Sequence, residues 1–461
     1  LKVGAKVIII ESLKQKLRAD QMSMNETERL RHSKDESFHP PVIPDIVCFP
    51  ESTEDIVAIL NIAEEYSIPV TPFGTGSGLE GQVIPLRHGI SVNFERMSAI
   101  IEFSPEDLTI TVQPGITRLT LNDKINRSGL LFPIDPGADA SIGGMVSTNA
   151  SGTTAVKYGS MRDQVLDLEV VLPNGTVIHT GTKAKKSSSG YHLSGLFTGS
   201  EGTLGIITAI TLRLHGIPEY TQSARCTFDS VESCAQAAQA VLMSGIPVLR
   251  MELVDQVSIQ TINAYGDYHL PEAHSLFLEF SGNEEGVRAD VNLTKELMNE
   301  LGCDHWEEAH TPAQSNELWK ARHEMAYAYR HKKGVAIAGA DVCVPISQLP
   351  DLVEYARVLI EESGLLGGIL GHIGDGNFHT MISFDAHSIE QQQQAEGINE
   401  KLAYRAIELG GTCTGEHGVG LGKRKFQELE HGAAWQLMQQ MKTLIDPKNI
   451  MNPGKIFFSK N

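Results

Sequence analysis

FGTGSGLEG, residues 73–81, carries glycines at 76, 78 and 81 in the spacing GxGxxG, directly after the strand-like run IPVTPF (68–73). A dinucleotide-binding Rossmann domain needs a helix to open from such a loop, so that its N-terminus meets a pyrophosphate. The residues that follow are QVIPLRHG, and Pro85 and Gly89 forbid that helix. Two readings remain open for the loop alone. It is a tight turn between strands, or a nest of backbone N–H groups that holds an anion without a helix. Either way the doubly wound fold is set aside and a mixed α+β domain is expected.

The surrounding pattern supports that class. IVCFP (46–50) reads as a strand, and Ser52 and Thr53 open a helix that Asp55 can close as a capping box, with Ile56, Val57, Leu60 and Ala63 on its apolar face. Short strands with turn signals follow in ISVNF, LTITVQPG, LDLEVVLPNGTVIHTG and GIITAITLRLHG. Ahead of them, residues 1–40 form a polar helical lead-in that ends at Pro40-Pro41. After Gly216-Ile217-Pro218 longer helices alternate with strands, which predicts an antiparallel sheet with helices on one face. Helices are predicted near 230–244, 284–301, 313–330, 347–363, 388–409 and 424–444. The expected domains are therefore 1–40, 41–218, 219–423 and a C-terminal helical segment at 424–461 that returns to the first domain.

Composition narrows the function. With 461 residues, 41% apolar and 21% charged, the chain is an ordinary globular protein too long for one hydrophobic core. A net charge of −19 opposes binding to a phosphate backbone, so nucleic acid is excluded as a partner. The six cysteines are scattered without a CxxC, which fits a reducing, cytoplasmic setting rather than a zinc or iron–sulfur centre. No apolar run reaches the roughly 20 residues of a membrane span. Peripheral association with the inner face of a membrane stays open, as does any targeting segment upstream of Leu1.

DPGADASIGGMVSTNASG (135–152) and LFTGSEGTLGIIT (196–208) share the composition of the first glycine loop. Three such segments with little charge favour a long polar ligand held by backbone amides and hydroxyls, and FAD fits that description. FGTGSGLEGQ, PGADASIGGMVSTNASG, KYGS and TGSEGTLGIIT resemble the flavin-binding motifs of the vanillyl-alcohol oxidase / PCMH superfamily. With the C-terminal half, from about residue 41 onward, the chain resembles the family of FAD-linked D-lactate dehydrogenases and the flavoprotein component of glycolate oxidase. The resemblance implies a PCMH-type FAD-binding domain of two α+β subdomains and a cap domain whose antiparallel sheet is covered by helices. It puts Gly74, Thr75, Gly76, Ser77 and Gly78 on the pyrophosphate and ribityl side of FAD. With them come Pro136, Gly137, Ser141, Gly143, Gly144, Ser147, Asn149, Ser151 and Gly152, followed by Tyr158 and Gly159. Glu201, Gly202 and Ile207 fall near the adenine end or the ring, and Asn452 of NPGKIF closes over the flavin. Relatives that tether FAD do so through a His or Cys in the first loop; this one has Ser77 and neither residue between Phe73 and Arg87, so non-covalent FAD is expected.

GHIGDGNFH (371–379) holds His372 and His379 around an Asp-Gly pair. If Asp375-Gly376 is a two-residue type I′ turn, Gly374 pairs with Asn377 and His372 with His379, and two imidazoles can reach one divalent metal. The plain alternative is a pair of hydrogen-bonded histidines. GEHGVG (415–420) offers Glu416 as a third ligand for Zn²⁺ or Mn²⁺ and leaves His417 free to act as a base. In the family that this sequence resembles, the corresponding His, His and Glu bind metal and the adjacent His takes the substrate proton. ELWKARHEM (317–325) sits on a predicted helix, where Arg322 is by default a surface charge. The segment resembles the family's LWxAR motif, whose arginine forks onto the substrate carboxylate; His372 and Asn377 are further substrate contacts. DVCVPIS (341–347) is close to the D-lactate dehydrogenase pattern and argues against the 2-hydroxyglutarate branch.

The expected activity is oxidation of a small D-2-hydroxy acid, D-lactate foremost, to the 2-oxo acid, with electrons passed to a quinone, a cytochrome or a partner protein. A homodimer is the expected assembly. A flavoprotein component of a glycolate oxidase-like complex, a D-2-hydroxyglutarate-type dehydrogenase and, more remotely, a metallohydrolase using Glu416 as base stay open.

Overall fold

Ser52 Oγ accepts the N–H of Asp55 at 3.2 Å and starts the helix Thr53–Tyr66, which buries Ile56, Ile59, Leu60, Ile62 and Ala63. Asp55 reaches back one residue further than a capping box requires, accepting the N–H of Glu51 at 2.9 Å. Each buried Ile or Leu on that face contributes about 1.5–3 kcal/mol relative to exposure. This is a computed structural model; it describes residues 3–458, so Leu1 and Lys2 of the helical lead-in lie outside the described residues. The chain divides into two compact units, one made of Leu1–Ser151, Gly159–Ile217 and Glu416–Asn461, the other of Gly152–Tyr158 and Pro218–Gly415.

Among the described residues the first unit contains two larger sheets and a two-stranded ribbon of Leu130–Leu131 with His215–Gly216. Ile46–Cys48, Ile90–Asn93 and Val70–Phe73 pair in parallel, with Met22–Ser23 added antiparallel at the edge. The lead-in is thus only partly helical, since it also supplies this edge strand. No helix follows Phe73, and the chain crosses residues 74–89 as loop before entering the Ile90–Asn93 strand. The second sheet is antiparallel, in the order Ile100–Ser104, Thr109–Val112, Ile206–Arg213, Val165–Val171, Val177–His179. Each larger sheet has its own apolar cluster. The helix predicted over 424–444 is broken: Gln427–His431 ends at Gly432, whose φ of 53° and ψ of −128° no continuing helix tolerates, and Ala433–Ile445 starts afresh.

The second unit is built on an eight-stranded antiparallel sheet. Its main order is His305–Glu308, Tyr220–Phe228, His274–Gly282, Val248–Val254, Leu366–Gly371, Asn377–Asp385, Val335–Ala338, and Asp341–Cys343 also pairs with Asn377–Asp385. Side chains alternate between two faces. Leu276, Leu278, Met251, Leu253 and Ile369 join the apolar cluster of the helices Val231–Met243, Glu284–Glu300, Leu349–Ser363 and Ile389–Glu408. Phe277, Val254 and Leu370 point the other way and pack against Gln256–Tyr265 and Pro312–Arg330. Helices therefore cover both faces, not one.

The hairpin around Asp375-Gly376 also differs from expectation. His379 lies opposite Leu370, not His372. Ile373–Asp375 form a single 3₁₀ turn, Gly376 takes a left-handed φ of 77°, and Asn377 donates its N–H to His372 O at 3.3 Å. A four-residue loop replaces the two-residue one, so His372 closes against Asn377 and His379 is its diagonal neighbour two residues on. The period of two keeps both histidines on the same face. An added Cβ at Gly376 would sit 2.2 Å from the Val344 carbonyl oxygen, whereas Gly364, also at positive φ, has open space around it. Gly364→Ala is expected to cost about 1–2 kcal/mol from the left-handed backbone alone. Gly376→Ala should cost clearly more in the same thermal-unfolding series.

Candidate active site

In the second unit, the strand Val248–Val254 reads VLRMELV, and its Glu252 turns away from the apolar cluster toward the helix Pro312–Arg330. Glu252 is 0% exposed. Its Oε2 accepts Arg322 Nε at 3.0 Å and Nη2 at 2.6 Å, and its Oε1 accepts His372 Nδ1 at 2.6 Å. Burial alone would raise this carboxyl above its ordinary 4.5, but the charges and hydrogen bonds of His372 and Arg322 hold it at about 2. Next to this triad the rings of His372 and His379 meet edge to face, 5.3 Å apart at their centroids. The Asp341 carboxylate, also fully buried, lies 3.5 Å from His379 Nδ1 and accepts Asn377 Nδ2 at 2.8 Å and Thr414 Oγ1 at 3.0 Å. His372 thus has its Nδ1 held by a carboxylate, the arrangement that fixes an imidazole to offer Nε2 to a metal.

Sequence reasoning names Arg322, His372, His379 and Asn377, and the structure brings all four onto one sheet face. It misses Glu252. The available signal is a charged residue inside an otherwise apolar strand, which is costly unless paired.

In the first unit the glycine-rich segments converge. Gly74 approaches Ser141 so closely that a Cβ would lie 2.5 Å from its Oγ, and a Cβ on Gly143 would lie 2.5 Å from that of Pro114. Ser141 caps the helix Ile142–Thr148 through Gly144 N–H, and Ser147 Oγ donates to Gly143 O at 2.8 Å. Asn149 ends that helix in the left-handed region, with φ 53°. Thr75 and Ser77 share a hydroxyl hydrogen bond of 3.0 Å. Among the described residues, the N–H groups of Gly74 to Gly78 make no hydrogen bond within the protein. Such half-buried, uncommitted amides suit a phosphate. Pro136 and Gly137 lie in the loop ahead of the helix; Tyr158 ends the short helix Ala155–Tyr158, which is part of the second unit, and Gly159 follows in the first.

Glu201 is committed to backbone groups of its own unit. Its carboxylate accepts the N–H of Val419 at 2.6 Å and of Gly420 at 2.9 Å, and burial pushes it up to about 7 in spite of those bonds. A Cβ on the adjacent Gly202 would meet Pro72 at 2.7 Å. Ile207 is a core residue opposite Val170. Asn452 Nδ2 bridges the carbonyls of Gln82 at 2.9 Å and Glu201 at 2.8 Å. Gln82 in turn donates to His417 O at 2.7 Å, and Ser151 Oγ donates to Glu416 Oε2 at 2.8 Å. The loop with Glu416 and His417 is thereby fixed to the glycine-rich segments of its own unit.

Residues 44–181 match the family model of an FAD binding domain, and residues 217–456 match that of FAD linked oxidases, C-terminal domain. The chain belongs to the FAD-linked oxidase family. It is 42% identical over 460 residues to a probable mitochondrial D-lactate dehydrogenase of Danio rerio, covering 99% of this chain and 93% of that protein. It is 43% identical over 441 residues to a mitochondrial D-lactate dehydrogenase (cytochrome) of Arabidopsis thaliana, covering 95% and 78%. A glycolate oxidase subunit GlcD of Bacillus subtilis is 33% identical over 434 residues, covering 93% and 92%. The structure of p-cresol methylhydroxylase with substrate bound aligns over 100% of this chain and 98% of that one, with a TM-score of 0.81 at 18% identity. The fold is therefore the PCMH-type α+β FAD-binding domain with a cap domain carrying a large antiparallel sheet, and this family member is a flavin-dependent oxidoreductase.

Glu252 yields a direct test in this oxidase. Glu252→Gln removes the charge that Arg322 and His372 share and is expected to lower stability at pH 7 by about 3–5 kcal/mol. Because the folded carboxyl sits below its ordinary 4.5, its contribution is present above that value and is lost as pH falls through about 2. Urea unfolding of the two proteins from pH 7 downward should show the gap closing over that window.

Proposed function

We propose that the protein oxidises a small D-2-hydroxy acid, D-lactate foremost, to the 2-oxo acid. The observation that carries this reading is the Glu252 bridge: it fixes a guanidinium and an imidazole side by side on one sheet face. Glu252 occupies the Nε–Nη2 edge of Arg322, which leaves the Nη1–Nη2 edge to fork onto a substrate carboxylate. Asn377 spends its amide N–H groups on Asp341 and Val342 O, and its Oδ1 has no protein partner among the described residues. That oxygen suits a substrate hydroxyl. Of the further cations on this face, Arg250 is engaged by Glu279 at 3.2 Å and Arg225 by Ser275 Oγ at 3.2 Å and Pro271 O at 2.5 Å, which favours a monocarboxylate over a dicarboxylate such as 2-hydroxyglutarate.

His372 and His379 are the residues that would hold a divalent metal, with Glu416 as carboxylate ligand. The two imidazoles, that of His372 backed by Glu252, fit Zn²⁺ or Mn²⁺ in their donor chemistry. Such an ion would supply a Lewis acid that makes the substrate hydroxyl more acidic. His417 takes the hydroxyl proton as general base. The glycine-rich segments would hold FAD without a covalent tether, and the group would supply hydride-accepting chemistry opposite the substrate. The names of relatives that include D-lactate and cytochrome favour D-lactate as substrate and a separate electron carrier as acceptor. The cytoplasmic reading stands beside relatives named mitochondrial. Among the described residues no helix is long and apolar enough to cross a membrane.

Anaerobic addition of D-lactate is expected to bleach the visible flavin absorbance while L-lactate leaves it unchanged; equal bleaching by both enantiomers would refute the stereochemical assignment. His372→Ala and His379→Ala are each expected to keep FAD while losing metal and at least about 100-fold in turnover. His417→Ala should keep both cofactors and lose turnover by about 100- to 10,000-fold, read with an artificial electron acceptor.

A further inference from the structure

Residues 152–158 lie in the first half of the sequence but fold with the second unit. Gly152 and Gly159 bound the segment at φ 145° and 78°. Between them the helix Ala155–Tyr158 makes one turn, with Ala155 N–H donating to Gly152 O at 3.2 Å and Tyr158 N–H to Thr154 O at 3.0 Å. Lys157 Nζ ties that turn to the cap-domain sheet, donating to Ser281 Oγ at 2.6 Å on the strand His274–Gly282. Val156 packs against the apolar cluster that contains Met251 and Ile373.

What Val156 meets there is the 3₁₀ turn Ile373–Asp375 that directly follows His372. Gly374 in that turn has no positive φ, so its backbone conformation is open to any residue. The space around it is not. An added Cβ would lie 2.7 Å from Val156 Cγ2, 3.1 Å from Val156 Cβ and 3.4 Å from Met251 Cβ. Carbon atoms in contact sit about 3.5–4.0 Å apart, so a single methyl would overlap Val156 by roughly 1 Å. Val156 cannot readily swing aside, because a side chain branched at Cβ has one strongly preferred χ1 in a helix. The turn is therefore held between Val156 and Met251 of the strand Val248–Val254. Glu252, the next residue on that strand, accepts His372 Nδ1 at 2.6 Å. Glu252 thus fixes the imidazole of His372, and Val156 with Met251 fixes the backbone that follows it.

We propose that Val156 is a positioning residue for the His372–His379 pair, filling the notch at Gly374 so that the turn after His372 takes one position. The proposal rests on the reading of these histidines as metal ligands. Val156 itself touches neither ion nor substrate and acts through the backbone of residues 373–375. Ligands must be held to within about 0.5 Å of their working geometry. An overlap of roughly 1 Å at Gly374 exceeds that tolerance, and close-packed surroundings pass the displacement on to His372 rather than absorb it.

The test is a double-mutant cycle on the FAD-loaded full chain, with Gly374→Ala, Val156→Ala and the two combined. It reads Zn²⁺ affinity by chelator competition, FAD content, and the low-field proton signal of the His372 Nδ1–H held by Glu252, assigned by its displacement in Glu252→Gln. Gly374→Ala is expected to shift that signal and to weaken Zn²⁺ binding by about 10-fold or more, with FAD content unchanged. Adding Val156→Ala makes room for the new methyl and should recover most of both losses. Val156→Thr keeps the shape of valine and should match the wild type, whereas Val156→Ala alone should weaken binding. Gly364→Ala, which adds its methyl in open space, should lower thermal stability yet leave signal and affinity unchanged, separating positioning from general destabilisation. Wild-type signal and affinity in Gly374→Ala, or losses in the single variants that simply add in the pair, would overturn the proposal. A wild type that takes up no Zn²⁺ would sink the metal reading instead, and the proton signal in the same variants still decides whether Val156 sets His372. If Gly374→Ala does not fold, Val156→Ala against Val156→Thr decides, and equal signal and affinity in those two would refute the role.

Discussion

The buried carboxylate of Glu252 is the constraint on which the cap-domain site depends. A fully buried charge is costly unless its oxygens are matched, and here both are: one by Arg322, the other by His372. The partners are 70 and 120 residues away along the chain, on a helix and in a hairpin loop. One charge therefore sets the position of two segments that share no local sequence relation. Losing either partner would leave an uncompensated charge, so the arrangement is held as a unit rather than as separate contacts.

The sheet makes this economical. Its alternation sends one set of strand side chains into an apolar core under four helices and the other set toward Pro312–Arg330, where polar residues can pair with one another. Asp341 plays the same part for Asn377 and Thr414, whose polar hydrogens its two oxygens accept. An imidazole, a guanidinium and a carboxamide are thus each oriented by a carboxylate at zero exposure. A site that must hold a small charged acid in fixed register needs that degree of preorganisation.

Much of this is legible from residues close in sequence. Pro85 and Gly89 after FGTGSGLEG are enough to reject a Rossmann helix, and the loop over 74–89 is indeed free of one. His372 and His379 do meet, although by a route other than the expected one. In place of a two-residue turn the chain makes a 3₁₀ turn closed by Gly376, and the imidazoles still share a face because the shift preserves the period of two. What escapes local reading is whatever depends on distant partners. Gly432 breaks the helix expected over 424–444 through a backbone conformation that no pattern of apolar residues announces. Helices on the second face of the sheet follow from its alternation across several strands, not from any one of them. Glu252 is invisible for the same reason: a lone acid in VLRMELV gains its meaning only when Arg322 and His372 arrive from elsewhere.

The central claim is that Glu252 orients His372 to serve as a metal ligand beside a carboxylate-binding arginine. Metal content and affinity, measured by elemental analysis and chelator competition on wild type and Glu252→Gln at neutral pH, test it most directly. The account expects one divalent ion per chain in the wild type. In the variant, affinity should weaken by about 10- to 100-fold with FAD content unchanged. A folded Glu252→Gln protein that holds the ion as tightly as the wild type, or a wild type with no ion at stoichiometric level, would contradict it.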